Sequence, residues 1–446
     1  MNDVVERYGT PLYVYRLGEV RAGIRALRGA VPEQVRIYYS LKANPHPAVV
    51  AETVRAGLCS EVSSSGELAV ALAAGQPPDR CLMTGPGKTD AELDDALARG
   101  VRSFSVESEV DHERLDRAAR RHGVAVDVMF RLNAVSAGAG RGNGRGSGLR
   151  MTGAPTQFGM APEAARRIIE RRDPSGPVRP VGLHVFPATN VAEPDDLVAE
   201  FALSVETVAA LLRQTGLPMR LVDIGGGFAA PFARPGSRTE YPNLRERLGA
   251  VLDDGLPGWR DQRPCVAVES GRYLASGCGS LFTTVLDVKT SGPTTYVVLD
   301  TGVNALGGMS GLGRILVPDA RPVGALVLAD ADRRVSLVGP LCTPLDVLSR
   351  GAATGVPRVG DVLEIPNVGA YGLTASLLAF LSKPVPAEVV LEEDGSVVDA
   401  RRLELLPVEL GADEALHLAG QARHGGPVEE RAQGHLDTEG ALHVPQ

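Results

Sequence analysis

Lysine is scarce in this chain, so each lysine is a candidate for chemistry. The 446 residues include four lysines beside 42 arginines. Arginine cannot replace lysine where a reaction needs an amine that gives up its proton, because a guanidinium stays charged. Lys42 is the strongest candidate because it directly follows a predicted strand. The other three are Lys88 in the turn Gly85-Pro86-Gly87, Lys289 in a β-rich region and Lys383 beside a proline-rich loop.

Two turns after predicted strands have the composition of an anion site. Gly225-Gly226-Gly227 exposes backbone N–H groups to an anion. Gly271-Arg272, which begins two residues after Glu269, adds a second turn and a guanidinium. An amine, an acid and a phosphate site are what pyridoxal phosphate requires for its aldehyde, its pyridine nitrogen and its phosphate. Taken alone, each feature is also typical of an ordinary turn or ion pair, but their joint placement favours this cofactor.

Eight strand–helix repeats are predicted to position these residues. The predicted strands are residues 36–41, 60–63, 81–84, 101–106, 125–132, 180–186, 220–224 and 265–268. Amphipathic stretches lie between them, at 66–72, 90–99, 110–121, 162–172 and 197–212. This rhythm over roughly 250 residues predicts a (β/α)8 barrel, with a doubly wound open sheet as the alternative. Because a barrel carries its site at the carboxyl ends of its strands, Lys42, Arg131, the glycine turns and Glu269 should converge there.

After residue 280 the apolar period changes to two. Runs at 281–288, 295–299, 323–328, 335–338, 361–365 and 388–391 predict a β domain. The early run 11–15 is expected to pair with that sheet. We therefore expect four parts, namely an N-terminal segment 1–24, a barrel 25–278, a β domain 279–410 and a polar tail 411–446. The tail and the glycine-dense segment 136–148 are expected to be flexible.

Composition argues against several classes of partner. With 46 Lys and Arg against 54 Asp and Glu, the chain lacks the basic footprint for nucleic acid or an anionic membrane. No stretch reaches the ~18 apolar residues of a membrane span, and no signal peptide is evident. The five cysteines never stand in CxxC spacing, and the tail histidines are seven to eleven residues apart, so no disulfide framework and no metal site are expected. These features favour a cytoplasmic protein.

Seven segments form an ordered set of motifs. They are residues 8–15 (YGTPLYVY), 39–45 (YSLKANP), 65–68 (SGEL), 222–228 (VDIGGGF), 269–274 (ESGRYL), 342–346 (CTPLD) and 369–372 (GAYG). In this order they resemble the fold-type III pyridoxal phosphate decarboxylases of the ornithine/diaminopimelate decarboxylase family, over about residues 8–395. The resemblance implies a (β/α)8 barrel followed by a β domain, pyridoxal 5'-phosphate as cofactor, and a homodimer with shared active sites.

The resemblance also implies a role for each matching residue. Lys42 would form the Schiff base, Glu269 would pair with the pyridine nitrogen, and Cys342 would protonate the α-carbon after carbon dioxide leaves. The other cofactor contacts would be Arg131, Phe186, Thr189, Gly225, Gly226, Gly227, Gly271, Arg272 and Tyr371. Thr343, Asp346 and Arg314 are the substrate-binding candidates. Cys342 and Asp346 would come from the partner subunit, so the site would be complete only in a dimer.

Three departures from the family pattern bear on the substrate. Phe186 stands where the family commonly stacks a histidine on the cofactor ring, and it offers no proton; His184 is expected as a structural neighbour. Thr343 replaces the acidic residue that contacts the distal amine of ornithine or diaminopimelate. Segment 304–314 lacks the arginine-proline pair that contacts the distal carboxylate. Because an unpaired buried charge costs ~3–5 kcal/mol, diaminopimelate is a disfavoured substrate.

These departures are similar to a branch of the family that includes decarboxylases of carrier-protein-tethered amino acids in specialised biosynthesis. We therefore predict decarboxylation of a small-molecule or carrier-tethered amino acid, with free diaminopimelate or another free amino acid as the alternative. A racemase is less favoured, because racemases of this fold place arginine, not Glu269, at the pyridine nitrogen. A catalytically silent regulatory homologue is less favoured because Lys42, Glu269 and Cys342 are all retained.

Overall fold

Two β-sheets organise the compact unit Met1–Leu406, a closed eight-stranded barrel and a nine-stranded sheet. The computed structural model describes residues 1–133, 149–150, 156–217, 219–307, 318, 321–322, 334–352 and 355–407. Four features of the sequence analysis lie outside these residues, namely Arg314, the predicted strand 323–328, the segment 136–148 and the tail 411–446.

Helices and strands alternate through the first two thirds of the chain. The helices are α1 (Asn2–Tyr8), α2 (Leu17–Ala30), α3 (Pro47–Arg55), α4 (Ser65–Ala73), α5 (Asp90–Ala98), α6 (Glu109–His122), α7 (Pro162–Arg171), α8 (Pro194–Thr215), α9 (Leu244–Gly255) and α10 (Arg272–Ala275). The strands are β1 (Leu12–Arg16), β2 (Arg36–Ser40), β3 (Cys59–Val62), β4 (Cys81–Met83), β5 (Ser103–Val106), β6 (Val126–Leu132), β7 (Leu149–Arg150), β8 (Val178–Val185), β9 (Ala188–Thr189), β10 (Leu221–Asp223), β11 (Cys265–Ser270), β12 (Gly279–Ser291), β13 (Thr294–Leu299), β14 (Arg321–Pro322), β15 (Val335–Val338), β16 (Val347–Ala352), β17 (Val362–Pro366), β18 (Ala387–Leu391) and β19 (Val397–Arg402). None of the helices in the described part of the chain has the length and apolar character that a transmembrane span needs.

The barrel confirms the predicted fold class. Its strands run parallel in the order β2, β3, β4, β5, β6, β8, β10 and β11. Strand β11 pairs with β2, with Val268 opposite Ile37, which closes the ring and rules out the open-sheet alternative. Nearly every residue of these strands is buried, because side chains fill the barrel interior and helices cover its outside. Each of the eight strands matches one of the predicted apolar runs.

Polar caps set where the helices begin after the barrel strands. Ser64 Oγ accepts a hydrogen bond from Glu67 N at the start of α4. Thr89 and Glu92 form a reciprocal capping box at the start of α5. Such caps satisfy N–H groups that the first helical turn leaves free. These caps fix the chain directly after β3 and β4, on the side of the barrel where the functional side chains lie.

The large sheet is built mostly of later strands, in the order β16-β15-β13-β12-β1-β18-β19, with β17 also paired to β12. Strand β1 is antiparallel to β12 and parallel to β18, with Leu12 opposite both Phe282 and Ala387. The predicted runs correspond to β12, β13, β15, β17 and β18. Strands β16 and β19 are not among them, because polar residues interrupt the apolar alternation of β16 and most of β19 is exposed.

Hydrogen bonds join the barrel to the large sheet beside Lys42. Asn44 Nδ2 donates to the Gly369 carbonyl oxygen at 2.7 Å. Tyr371 N donates to the Ala43 carbonyl oxygen, also at 2.7 Å. The turn that carries Lys42 is therefore fixed to the segment that carries Tyr371.

A second junction is the ionic cluster around Arg21 of α2. Its guanidinium donates to both oxygens of Glu52 on α3 and to both oxygens of Glu392, which follows β18. Glu52 is 4% exposed, so its charge depends on the arginines that surround it. One side chain thus links the barrel helices to the large sheet.

Replacing Arg21 with alanine should destabilise the fold. We expect Arg21→Ala to lower the free energy of unfolding by about 1–3 kcal/mol, because it leaves a buried carboxylate with fewer donors. Urea unfolding followed by circular dichroism measures this loss. Arg25→Ala, an exposed position on the same helix, is the matched control and should change stability by less than about 0.5 kcal/mol. Equal effects of the two changes would contradict a specific role for Arg21.

Candidate active site

Lys42 is held in an ion pair at the carboxyl end of the barrel. It lies in the single helical turn Leu41–Ala43 directly after β2, and its Nζ donates to both oxygens of Glu61 at 2.6 and 2.7 Å. Glu61 on β3 is buried and also accepts from Thr84 Oγ1 at 2.6 Å. Burial lowers the pKa of the Lys42 amine, but the charges of Glu61 and Glu269 outweigh it and hold that pKa above its usual value. The Lys42 amine is therefore protonated, and the Glu61 carboxylate lies directly beside it.

Lys88 lies in a different environment. Its Nζ donates to the carbonyl oxygens of Gly85 and Ser105 and to Asp111 Oδ2, each at 2.8 Å. The side chain is 2% exposed, so these three acceptors surround a buried ammonium. Lys88 is engaged in holding this turn, which leaves Lys42 as the lysine at the strand-end site.

Glu269 and Asp223 add two more carboxylates at the ends of β11 and β10. Asp223 Oδ1 accepts from Gly225 N at 2.8 Å and so fixes the start of the glycine turn. Within the described residues, Glu269 Oε1 has no hydrogen-bond partner although it is fully buried. Burial, together with the charges of Glu61 and Asp223, raises the pKa of Glu269 well above its usual value. A cationic group beside Glu269 would relieve this cost.

The predicted phosphate residues lie together. Gly225 has a φ of +76°, and a Cβ there would lie 2.6 Å from the Val185 carbonyl oxygen, so only glycine fits the turn. A Cβ on Gly271 would lie 2.6 Å from Ala43 Cβ, which lets this turn approach the Lys42 turn. The Arg272 guanidinium carbon is 4.8 Å from the centre of the Tyr371 ring.

The orphan atoms at this site match the two charged ends of pyridoxal phosphate. Arg272 is 5% exposed, and among the described residues its Nε and Nη1 have no hydrogen-bond partner. An anion at Arg272 would accept from these free donors, and a protonated ring nitrogen beside Glu269 would compensate the charge of that buried carboxylate. The residues present therefore fit this cofactor, with Lys42 placed to reach its aldehyde.

Arg131 is paired with a carboxylate and lies beside two aromatic rings, one of them that of Phe186. Arg131 Nη1 donates to Glu107 Oε1 at 2.8 Å, and Glu107 Oε2 accepts from Gly159 N. The guanidinium carbon lies 5.2 and 5.9 Å from the ring centres of Phe158 and Phe186. The Phe186 ring also contacts the first glycine turn, so it offers a flat apolar face beside the site.

Thr189 lies farther along the same connection. It ends β9, the two-residue strand that follows Phe186, and is partly buried. Strand β9 pairs with β7, which places Thr189 opposite Leu149. Thr189 as a cofactor contact stays a prediction.

The Cys342 segment is a loop held by hydrogen bonds to Asp346. Asp346 is buried, and its two oxygens accept from Val303 N at 2.8 Å and Leu341 N at 2.7 Å. Cys342 is exposed, and within the described chain no hydrogen bond or ion pair joins this segment to Lys42. Asp346 therefore anchors its own loop, and its assignment to substrate stays a prediction, as do those of Cys342 and Thr343.

Thr343 lines an uncharged groove of about 550 Å³. The other described residues that line it are Val303, Leu345, Ser376, Leu377, Leu378, Ala379, Phe380 and Leu405. None of these nine side chains carries a charge. A ligand that enters this groove meets apolar surface and two hydroxyl groups.

Sequence reasoning missed Glu61 and Glu107, the carboxylates that pair with Lys42 and Arg131. Glu107 directly follows the predicted strand 101–106, which is the criterion that selected Lys42, whereas Glu61 lies inside the predicted strand 60–63 and one residue before the end of β3. That position is a usable signal, because a buried strand end with an acidic residue needs a cation nearby.

Comparisons with known proteins agree with this geometry. The family described as pyridoxal-dependent decarboxylase, pyridoxal binding domain, matches residues 17–276. The L-glutamyl-[BtrI acyl-carrier protein] decarboxylase of Niallia circulans is 27% identical over 406 residues, covering 90% of this chain and 92% of that protein. A diaminopimelate decarboxylase of Deinococcus radiodurans is 30% identical over 391 residues, covering 87% and 92%. The crystal structure of diaminopimelate decarboxylase from Helicobacter pylori complexed with L-lysine has a TM-score of 0.76 at 22% identity, covering 90% and 96%.

Lys42 should be the residue that binds pyridoxal phosphate covalently. Borohydride reduction of the holoenzyme followed by peptide mapping should place the label on Lys42, and Lys42→Ala should lose the visible cofactor absorbance. Lys289→Ala, which removes an exposed lysine of β12, is the control and should keep both. A label on Lys88 would refute the assignment.

Proposed function

This chain belongs to the pyridoxal-dependent decarboxylase family, and we propose that it acts on an amino acid whose distal end carries no positive charge. As a family member it is a pyridoxal phosphate-dependent carboxy-lyase. The observation that carries the proposal is the uncharged groove at Thr343. A distal ammonium placed there would lose water and gain no counter-charge from the described side chains that line the groove.

The substrate class that fits best is an amino acid tethered to a carrier protein. Tethering through the distal carboxyl group removes the distal charge and replaces it with a long, largely neutral arm. An apolar groove with two hydroxyl groups suits such an arm. The similarity to a glutamyl-carrier-protein decarboxylase supports the same choice.

Free diaminopimelate is the second candidate, because a relative of that activity is 30% identical. A panel of free and carrier-loaded amino acids separates the two candidates when carbon dioxide release is measured. The proposal requires faster release from carrier-loaded or distally neutral substrates. Efficient release from free diaminopimelate alone would overturn it.

Pyridoxal phosphate supplies the electron sink that takes up the electrons left when the carboxylate departs as carbon dioxide. The chain binds and orients the reacting groups. Lys42 would hold the aldehyde, and Glu61 would accept the proton that the amine must lose before it can react. Glu269 would keep a proton on the pyridine nitrogen, and Arg272 with Tyr371 would hold the phosphate.

Protonation of the α-carbon is assigned to Cys342. Phe186, at the position of the ring-stacking residue, has no proton to give. The Cys342 thiol would donate its proton to the α-carbon, and the resulting thiolate would regain one from water. Asp346, by anchoring the loop, would fix where this thiol lies.

A second copy of the chain would complete the site. Cys342 is exposed, as are four apolar side chains that line or flank the same groove, namely Leu345, Leu377, Phe380 and Leu405. A cluster of exposed apolar groups is typical of a protein interface. In the proposed homodimer this face would meet the barrel of the partner, so that each chain contributes to both sites.

The proposed location is the cytoplasm. All five cysteines are free, and four of them are buried. Unpaired cysteines fit a reducing compartment, because an oxidising one would favour disulfides.

Ornithine, lysine and diaminopimelate should be poor substrates. We expect kcat/KM for them about 150- to 4,000-fold below that of a distally neutral analogue, equivalent to ~3–5 kcal/mol for an unpaired buried charge. Thr343→Glu should raise activity toward the diamino acids, and Thr343→Gln, which matches the size without the charge, should not. A gain with both variants would show that charge is not the determinant.

Subunit mixing should restore activity to two inactive variants. A mixture of Lys42→Ala and Cys342→Ala should regain about a quarter of the wild-type sites, because a mixed dimer carries one site with both residues intact. The control mixture, Lys42→Ala with Glu269→Ala, should stay inactive because both residues belong to the same half of the site. If the first mixture also stays inactive after verified subunit exchange, Cys342 acts within its own chain.

A further inference from the structure

A row of three buried polar side chains crosses the barrel interior. Ser105 of β5, His184 of β8 and Glu269 of β11 are 0%, 1% and 3% exposed. Ser105 Oγ lies 2.9 Å from His184 Nδ1. His184 Nε2 lies 3.4 Å from Glu269 Oε1. In the described chain neither of these last two atoms has a hydrogen-bond partner, so a hydrogen bond between them would satisfy both.

We propose that His184 is a positioning residue for Glu269, donating a hydrogen bond from Nε2 to Oε1 so that the carboxylate keeps the ring nitrogen of the cofactor protonated. The inference rests on the proposed role of Glu269 at that nitrogen. It assigns to His184 more than the structural contact expected from the sequence. Ser105 has a part as well, because a hydroxyl that donates to Nδ1 leaves the ring proton on Nε2.

The charge of the His184 imidazole determines which of its nitrogens can donate a hydrogen bond. Burial lowers the pKa of His184 well below its usual value, and the charges of Arg131, Lys42 and Lys88 act in the same direction. A neutral imidazole has one N–H donor and one acceptor nitrogen. If the Ser105 hydroxyl donates to Nδ1, the ring proton lies on Nε2, which is the nitrogen nearest Glu269.

Glu269 needs such a donor. Its burial and the nearby charges of Glu61 and Asp223 favour the neutral acid, which would not stabilise a proton on the cofactor. A neutral N–H on Oε1 favours the carboxylate without adding a cation that would compete with the pyridinium. The second oxygen of Glu269 then remains for the ring nitrogen.

The charged groups around these three residues argue against a metal site there. His184, Asp223 and Glu269 bring three possible metal ligands within 4.8 Å of one another. The cations of Lys42 and Arg131 act on the same group, as their effects on the Glu269 pKa indicate, and they would oppose a bound metal ion. A metal is therefore one outcome that the test must be able to detect.

The test uses the holoenzyme without substrate. Pyridoxal phosphate labelled with a heavy nitrogen isotope in its ring is bound to wild type, His184→Leu and His184→Gln, and NMR follows ring-nitrogen protonation between about pH 6 and 9. Wild type should stay protonated throughout. His184→Leu should lose the proton within this range, and His184→Gln, which keeps an amide donor, should largely retain it. In kinetics, His184→Leu should lower kcat about 10- to 100-fold with a smaller change in KM.

Ser105→Ala keeps the test decisive if His184→Leu does not fold. It leaves the imidazole in place and should shift loss of the ring proton in the same direction. Unchanged ring protonation in folded His184→Leu, or in Ser105→Ala, would overturn the proposal. So would loss of the wild-type signal on chelation with recovery on adding zinc. Because no readout except kcat and KM needs a substrate, an error in the substrate class would leave the NMR result intact.

Discussion

The ion pair between Lys42 and the buried Glu61 is the interaction on which the rest of the site depends. Three carboxylates, those of Glu61, Asp223 and Glu269, lie on β3, β10 and β11, which fall within the four consecutive barrel strands β10-β11-β2-β3, and they have little access to water. Such a group stays ionised only if cations compensate it, and Lys42 supplies the contact at 2.6 Å. The pair keeps the Lys42 amine protonated and the Glu61 carboxyl ionised, because each charge raises or lowers the pKa of the other in favour of its charged form. The ion pair that compensates the buried Glu61 therefore also positions the Lys42 amine.

A second constraint is that the Lys42 turn belongs to two sheets at once. Asn44 and Ala43 are hydrogen-bonded to Gly369 and Tyr371 of the later segment. The lysine and the tyrosine proposed at the phosphate thus share one support, and the Gly271 turn packs closely against the same lysine turn. A cofactor held by both would be fixed at its two ends. This explains why the large sheet, which contributes few site residues, is still part of the site.

Chemistry and specificity are separated along the chain. The barrel interior holds charged groups in fixed pairs, such as Arg131 with Glu107, and these are suited to a cofactor with a phosphate and a ring nitrogen. The groove at Thr343 is uncharged and lies on an anchored loop of the later domain. Under the proposed role of this groove, a change in the loop could alter substrate choice without altering the barrel, because no ion pair joins them in the described part of the chain.

Much of this could be predicted from the sequence, because apolar periodicity and strand-end position are local properties. They determined the eight barrel strands and the places of Lys42, Glu269 and the glycine turns. The partners Glu61 and Glu107, and the row from Ser105 through His184 to Glu269, were decided only by the tertiary structure. Glu61 and Glu107 meet their partners across adjacent strands, and the sequence does not show which side chains pair there. Ser105, His184 and Glu269 come from strands far apart in the chain, and only the closed barrel brings their side chains together in its interior. Local pattern fixes where a side chain leaves its strand, whereas the folded ring decides which side chain it meets.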